Sequence, residues 1–298
     1  MSDGSGDARP RQSARLRAGM LAAAVAGTVL LTAACGSGSP ASSSPAPDSG
    51  HLYWTNNGWI GRARLDGTGV SQHFITGAAG AGMVVVSSGY VYWANERSGT
   101  IGRARLDGTD VNQKFINGAS SPDGVAVAGS YIYWTNNAAG TIDRARLNGT
   151  GTAQPFITTA QPNGPDAVAV GSGHIYWAND YTIGRANLNG TSVNQHFISV
   201  PYGPNGVAGL AVSSRYIYWT NETGDTIGRA RLDGTGINQR FITGASNPDA
   251  MAVDSRYIYW ANWGRGTIGR AQLNGADVSQ GVLSMHGRPR GVAVDPSR

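Results

Sequence analysis

The sequence predicts an all-β protein, a closed ring of six four-stranded antiparallel blades, and three observations predict it. Tyr-Trp-(Thr/Ala)-Asn occurs six times, beginning at Tyr53, Tyr92, Tyr133, Tyr176, Tyr218 and Tyr259, at spacings of 39, 41, 43, 42 and 41 residues. Each copy lies in a unit of four strand-like runs, and four strands per period of about 40 residues is the signature of a β-propeller. The two ends of the array each lack the element that the other supplies.

The unit is clearest around the second copy. Tyr90 to Asn95 alternates and is rich in aromatic and β-branched residues, which reads as a strand. A variable loop, Glu96 to Gly99, leads to a second alternating run, Thr100 to Leu106. Asp107-Gly108-Thr109 is a tight-turn signal, because Asp and Gly tolerate the dihedrals of short hairpins. Asn112 to Asn117 is the third strand, Ser121 to Gly124 a loop, and Val125-Ala126-Val127 a short apolar strand. Short connections make neighbours antiparallel. A two-sheet sandwich does not require so regular a repeat, and a parallel β-helix has no place for the Asp-Gly hairpins.

The array closes on itself. His51-Leu52-Tyr53-Trp54 has no Val-Ala-Val run before it, and Pro289 to Val294 has no Tyr-Trp strand after it. Pairing of Gly291–Val294 with Leu52–Thr55 makes the C-terminal strand the innermost strand of the first blade and removes an open sheet edge. The chain stops four residues after Val294, as such closure expects.

Recurrence separates scaffold from site. A Trp at one strand position in every blade is expected in the core. So are Phe74, Phe115, Phe156, Phe197 and Phe241; blade six has Gly281-Val282-Leu283 instead, so its outer strand should be the least secure. Arg62, Arg103, Arg144, Arg185, Arg229 and Arg270 also recur, and are expected to make one structural hydrogen bond per blade.

The Tyr-Trp-Thr motif, the Ile-x-Arg-Ala-x-Leu-Asp-Gly run and the Pro-x-Gly-Val-Ala-Val run resemble the YWTD repeat of the low-density lipoprotein receptor family over residues 51–295. The resemblance implies a six-bladed β-propeller. Asn56, Asn95, Asn136, Asn179, Asn221 and Asn262 stand where that family has Asp, so they keep an acceptor but lose the charge, which argues against calcium there. The family's cysteine-rich modules have no counterpart in this sequence, so receptor function does not carry over.

The first fifty residues point to a compartment. Arg9, Arg11, Arg15 and Arg17 precede an uncharged run from 18 to 34, which ends at Cys35, the single cysteine. A basic segment, a short apolar run and small residues make a secretory signal over 1–34. Leu31-Thr32-Ala33-Ala34-Cys35 resembles a bacterial lipobox, which implies lipidation at Cys35. Residues 35–50 then read as the lipidated cysteine and a flexible Ser/Pro/Gly tether, and 51–298 as the propeller. The expected place is the outer leaflet of the bacterial cell membrane, reached through the lipid anchor. Loss of the signal removes four Arg and two Asp and lowers the formal charge from +5 to +3. Most remaining Arg recur once per blade, so no nucleic-acid stripe forms. A monomer is expected.

Binding or catalytic groups are sought where the repeats differ. Loops leading into the inner strands share one face with loops after the Tyr-Trp strands. They carry Asp123, Asn163, Asp166, Asn205, Asp249 and Arg290 around the channel mouth, with the aromatics Trp59, Tyr181 and Trp263 further out. Neither metal-ligand spacing nor a catalytic triad order is visible, and no cofactor is called for. These features favour a tethered binding or scaffold protein, for a protein, glycan or small-molecule ligand, over an enzyme. The alternatives are a metal-assisted propeller lyase or lactonase, with Asp123, Asp166 and Asp249 on a divalent cation, and a structural envelope protein.

Overall fold

The computed structural model describes residues 50–151, 155–159, 164–200 and 206–295. The signal segment, Cys35, the tether up to residue 49, Asn163 and Asn205 lie outside them.

The described residues form twenty-four strands in six four-stranded sheets, with every neighbouring pair antiparallel. Blades two to six run in chain order over 81–117, 122–158, 168–199, 207–243 and 248–284. Blade one combines the strands between 51 and 78 with Val292–Asp295. That last strand pairs His51 with Asp295, Leu52 with Val294, Tyr53 with Ala293 and Trp54 with Val292. The Thr55 amide donates to the Gly291 carbonyl at 3.1 Å, which continues the seam. Closure therefore occurs in the register that the complementary ends predict.

The core lies between blades. All six motif Trp side chains have no exposed surface. Each indole covers the facing residue of the next strand, which is Gly in five blades. A Cβ on Gly102 would lie 2.2 Å from the Trp93 ring, so the bare backbone is what lets the indole lie flat. Blade three has Asp143 at this position, where its carboxylate accepts from Thr141 at 3.1 Å.

The recurrent Arg is structural, as expected, and it ties each blade to the next. Arg62 Nη1 donates to the Leu106 carbonyl at 2.9 Å, and the other five make the same bond at 3.3–3.5 Å. Arg270 reaches Leu65 and so crosses the closure seam. In blades one to five the guanidinium also lies 3.9–4.1 Å over the repeated Phe ring.

Blade six shows what its missing Phe costs. The Ser279–Ser284 strand still forms, with Ile268 opposite Leu283, but Arg270 stacks only on Tyr257, at 4.6 Å. Restoring the ring by Val282→Phe is expected to stabilise the protein by about 0.5–1 kcal/mol, through one aromatic–cation contact and added burial. A calorimetric melting temperature equal to or below that of the wild type would show that the site cannot take the ring.

Motif position three alternates between Thr and Ala around the ring, and this alternation bears on the site. Thr55, Thr135 and Thr220 occupy blades one, three and five, and Ala94, Ala178 and Ala261 the others. Each Thr hydroxyl accepts from its own inner strand, at Gly291, Gly124 or Gly209, at 2.6–2.7 Å. It donates to the next blade, at the carbonyl of Gly82, Asp166 or Asp249, at 2.6, 3.3 and 2.8 Å. The three Gly residues are needed because a Cβ there would collide with these partners, as at Gly291, 2.7 Å from Thr55 Oγ1. The backbone of two channel-mouth aspartates is fixed in this way.

Candidate functional site

One register position builds the mouth of the channel. The residues paired with the six Trp are Val292, Val84, Val125, Val168, Leu210 and Met251. Two residues before them stand Arg290, Gly82, Asp123, Asp166, Ala208 and Asp249, in ring order. Four of the six expected mouth residues thus occupy equivalent places. Asp123 and Asp249 were expected in loops, but they lie within the strands Pro122–Ala128 and Pro248–Val253. Both strands are bulged there, with register shifts between Pro122 and Val125 and between Pro248 and Met251. A bulge re-aims a side chain without ending the strand.

Arg290 is the hub. Its Nη1 donates to Glu96 Oε2 at 2.9 Å and its Nη2 to Asp123 Oδ1 at 3.4 Å, while Nε lies 4.0 Å from Asp249 Oδ2. These come from blades two, three and six. The reach to blade three passes over Gly82, where a Cβ would lie 2.3 Å from Asp123 Oδ1. Gly82 is therefore part of the site by being absent as a side chain. The carboxylates, Asp123 foremost, hold the Arg290 proton more firmly than usual against the opposing effect of burial.

Asp166 behaves differently. Its pKa is raised well above the usual carboxylate range, first by desolvation and then by the charges of Asp123, Asp180 and Asp249, with Arg290 opposing. Its Oδ1 accepts from Asn137 Nδ2 at 2.8 Å. The mouth thus sets a carboxyl of raised pKa beside carboxylates that face a guanidinium. Such a division of labour is what acid–base chemistry needs.

Below this ring the channel is apolar. A cavity of about 210 Å³ is lined by inner-strand side chains, among them Val84, Val125, Val168, Leu210 and Met251. Polar side chains converge at the mouth, above a shaft lined by Val, Ala, Leu and Met side chains.

The outlying aromatics do not assemble into one patch. Trp59 was expected in a loop but lies in the strand Gly58–Arg64, paired with Asn56 and Thr76, its ring 4.5 Å from His73. It belongs to the body of blade one, because that blade's connecting loop is shorter than in its neighbours. Tyr181 is 48% exposed on the turn between two strands of blade four, opposite blade one. Trp263 is half-buried beneath the Arg288 guanidinium, 4.1 Å away.

The divalent-cation alternative does not fit these residues. Among the described residues no group of three or more His, Cys, Asp or Glu is placed to hold a metal. Asp123 and Asp249 face the Arg290 guanidinium, and Asp166 is hydrogen-bonded to Asn137. Asn137 and Gly82 are the site residues that sequence reasoning missed. Glu96 was expected on this face, in the variable loop after a Tyr-Trp strand, and Gly82 was visible as the one Gly among the mouth positions.

Comparison with known proteins agrees with this architecture. The low-density lipoprotein receptor repeat class B matches residues 89–127 and 256–296. No curated protein matches the chain in sequence. Among solved structures, the propeller of a nidogen/laminin complex aligns with a TM-score of 0.71 at 20% identity, over 82% of this chain and 98% of that one. Virginiamycin B lyase from Staphylococcus aureus aligns at 0.57 and 22% identity, over 78% and 80%. A gluconolactonase from Xanthomonas campestris aligns at 0.58 and 14% identity, over 71% and 78%. Identities this low establish the fold alone. Proteins named as a lyase and a gluconolactonase stand beside a protein–protein complex among these structures, and this corrects the expectation that favoured a binding protein over an enzyme: the fold is compatible with either. The chain is a six-bladed β-propeller that carries the low-density lipoprotein receptor class B repeat motif.

Proposed function

We propose that this protein is a lipid-anchored, extracytoplasmic, monomeric enzyme of bacteria, performing lyase- or lactonase-type acid–base chemistry on a small polar substrate at the channel mouth. The observation that carries the reading is the placement of Asp166, a carboxyl whose pKa is raised by burial and which is hydrogen-bonded to Asn137, at the mouth position equivalent to the Arg290-bound Asp123. Asp166 would donate its proton to the substrate oxygen on which charge develops as the C–O bond breaks. Arg290 has five N–H donors, enough to orient a substrate oxygen while keeping its carboxylate partners. The same fold serves such reactions in proteins named as a lyase and a gluconolactonase. Export and anchoring rest on the basic and apolar N-terminal run ending at Cys35. A protein partner at the mouth face is the second reading, favoured by exposed Tyr181 and by the propeller of the nidogen/laminin complex.

The test is turnover of a panel of aldonolactones and cyclic depsipeptide lactones by the membrane-extracted protein, with and without EDTA. We expect turnover of at least one class that survives EDTA. Abolition by EDTA, restored by a divalent cation, would contradict the metal-free reading. Absence of turnover across the panel would favour the binding reading. Mass measurement of the mature N-terminus checks acylation of Cys35, and Cys35→Ala should release the protein from the membrane or leave it unprocessed.

A further inference from the structure

The face opposite the mouth carries a repeated feature that neither the core nor the site uses. Five aliphatic side chains, Val70, Val111, Val193, Ile237 and Val278, are 44–46% exposed. All five occupy the same place, just before the outer strand of a blade. In blade three the place is held by Thr152, outside the described residues. Isolated exposed aliphatics are ordinary. Five at one repeat position form a ring around one end of the molecule.

Two further observations say what this end faces. The chain enters the propeller there: the Gly50 carbonyl accepts from the Leu65 amide at 3.1 Å, beside the first hairpin turn. A tether ending at Gly50 therefore joins the propeller on its hairpin-turn face. The charge of the two faces also differs in sign. The turn side carries exposed Arg64, Arg146, Arg215 and Arg231, and the six blade-linking Arg lie just inside it. Asp66, Asp107, Asp110, Asp233, Asp254, Asp277 and Asp295 oppose them, the first, second and fourth each bonded to its own Thr and Asp110 paired with Arg105, and basic residues outnumber acidic ones on this side once the six blade-linking Arg are counted. On the mouth side Glu96, Asp123, Asp180, Glu222, Asp225 and Asp249 outnumber the basic residues.

We propose that the hairpin-turn face docks on an anionic lipid bilayer, with the aliphatic ring at headgroup depth and the arginines on lipid phosphates, so that the channel mouth points away from the membrane. Basic residues beside shallow apolar ones are the composition of interfacial binding. The acidic mouth face is repelled by the same surface. The proposal rests on the lipid-anchor reading for proximity to the membrane, and adds orientation to it.

The full acylated chain is suited to the test, because acylation at Cys35 consumes its only thiol. A single Cys introduced by Val193→Cys or by Tyr181→Cys is labelled with an environment-sensitive dye, and the protein is reconstituted in phosphatidylglycerol or phosphatidylcholine vesicles. We expect a blue shift and loss of iodide quenching for the Val193→Cys label in phosphatidylglycerol only, reversed by high salt. The Tyr181→Cys label should stay fully quenched. Adding Val70→Asp, Val111→Asp, Ile237→Asp and Val278→Asp should restore quenching at position 193 without moving the melting temperature. Equal quenching of the two labels, or protection at 193 that ignores lipid charge, overturns the proposal. Protection that grows with protein concentration in the absence of vesicles overturns it in favour of self-association. If the N-terminal mass shows Cys35 unacylated, the anchor reading fails separately. Docking is then read by sedimenting the same labelled chain, with Cys35→Ser, onto added vesicles of the two compositions, and equal sedimentation rejects it.

Discussion

Removal of residues 289–298 is expected to abolish cooperative unfolding. The deleted segment contains the innermost strand of blade one, which makes four residue pairs with His51–Trp54. Val292 is 3% exposed and Ala293 4%, and burial of one Val alone contributes about 1.5–3 kcal/mol. The deletion also uncovers Leu52, Tyr53 and Trp54, which are 0–1% exposed in the closed ring. It removes Arg290 as well, and with it the counter-charge that Asp123 and Asp249 face at the mouth. Together these losses match the whole net stability of an ordinary domain, roughly 5–15 kcal/mol. A calorimetric scan and size-exclusion profile of the truncated chain decide the matter. A sharp transition within a few degrees of the wild type would mean that the ring does not depend on its closing strand.

How much of this was readable in the sequence depends on recurrence. Blade count, strand order, the closing strand and the buried Trp all follow from patterns present six times, and a repeated strand has the same neighbours in every blade. Arg62 and its five equivalents were readable as structural for the same reason. The mouth was readable only as a set of variable positions. What sets Asp123 apart from Asp166 is a cross-ring contact from Arg290 in blade one to Asp123 in blade three, between residues 167 positions apart. No local pattern encodes it. Trp59 misled because blade one has a shortened loop, which moves into the strand a residue that spacing alone places outside. Gly82 passed unnoticed because its contribution is the space it leaves. The Thr/Ala alternation was in plain view, yet its meaning depends on which carbonyl the neighbouring blade presents.

Asp166→Asn is expected to separate activity from stability. The folded-state pKa of Asp166 is raised, so the native protein holds this proton over a range in which the unfolded chain has released it. Its favourable contribution is complete below the ordinary carboxyl pKa and is lost as pH rises through the raised value. Asn resembles the protonated form and cannot ionise. The variant should therefore match the wild type in acid and exceed it at neutral pH, by on the order of 1 kcal/mol, or about 2–4 °C in melting temperature. Activity should move the other way. A positioned proton donor contributes about 10²–10⁴-fold, and Asn, with no acidic proton to give, should lose a factor of that size in kcat. In the wild type the acid form is needed, so the rate should fall as pH rises through the same raised pKa. Arg290→Met should move that fall to higher pH, because the Arg290 charge lowers the Asp166 pKa. Paired stability–pH and rate–pH profiles for the three proteins provide the check. If Asp166→Asn is less stable than the wild type at neutral pH, the carboxyl is ionised there and is held by Asn137 and Arg290 as an ordinary buried anion. A stabilised variant with unchanged kcat would keep the protonation assignment and remove Asp166 from the chemistry.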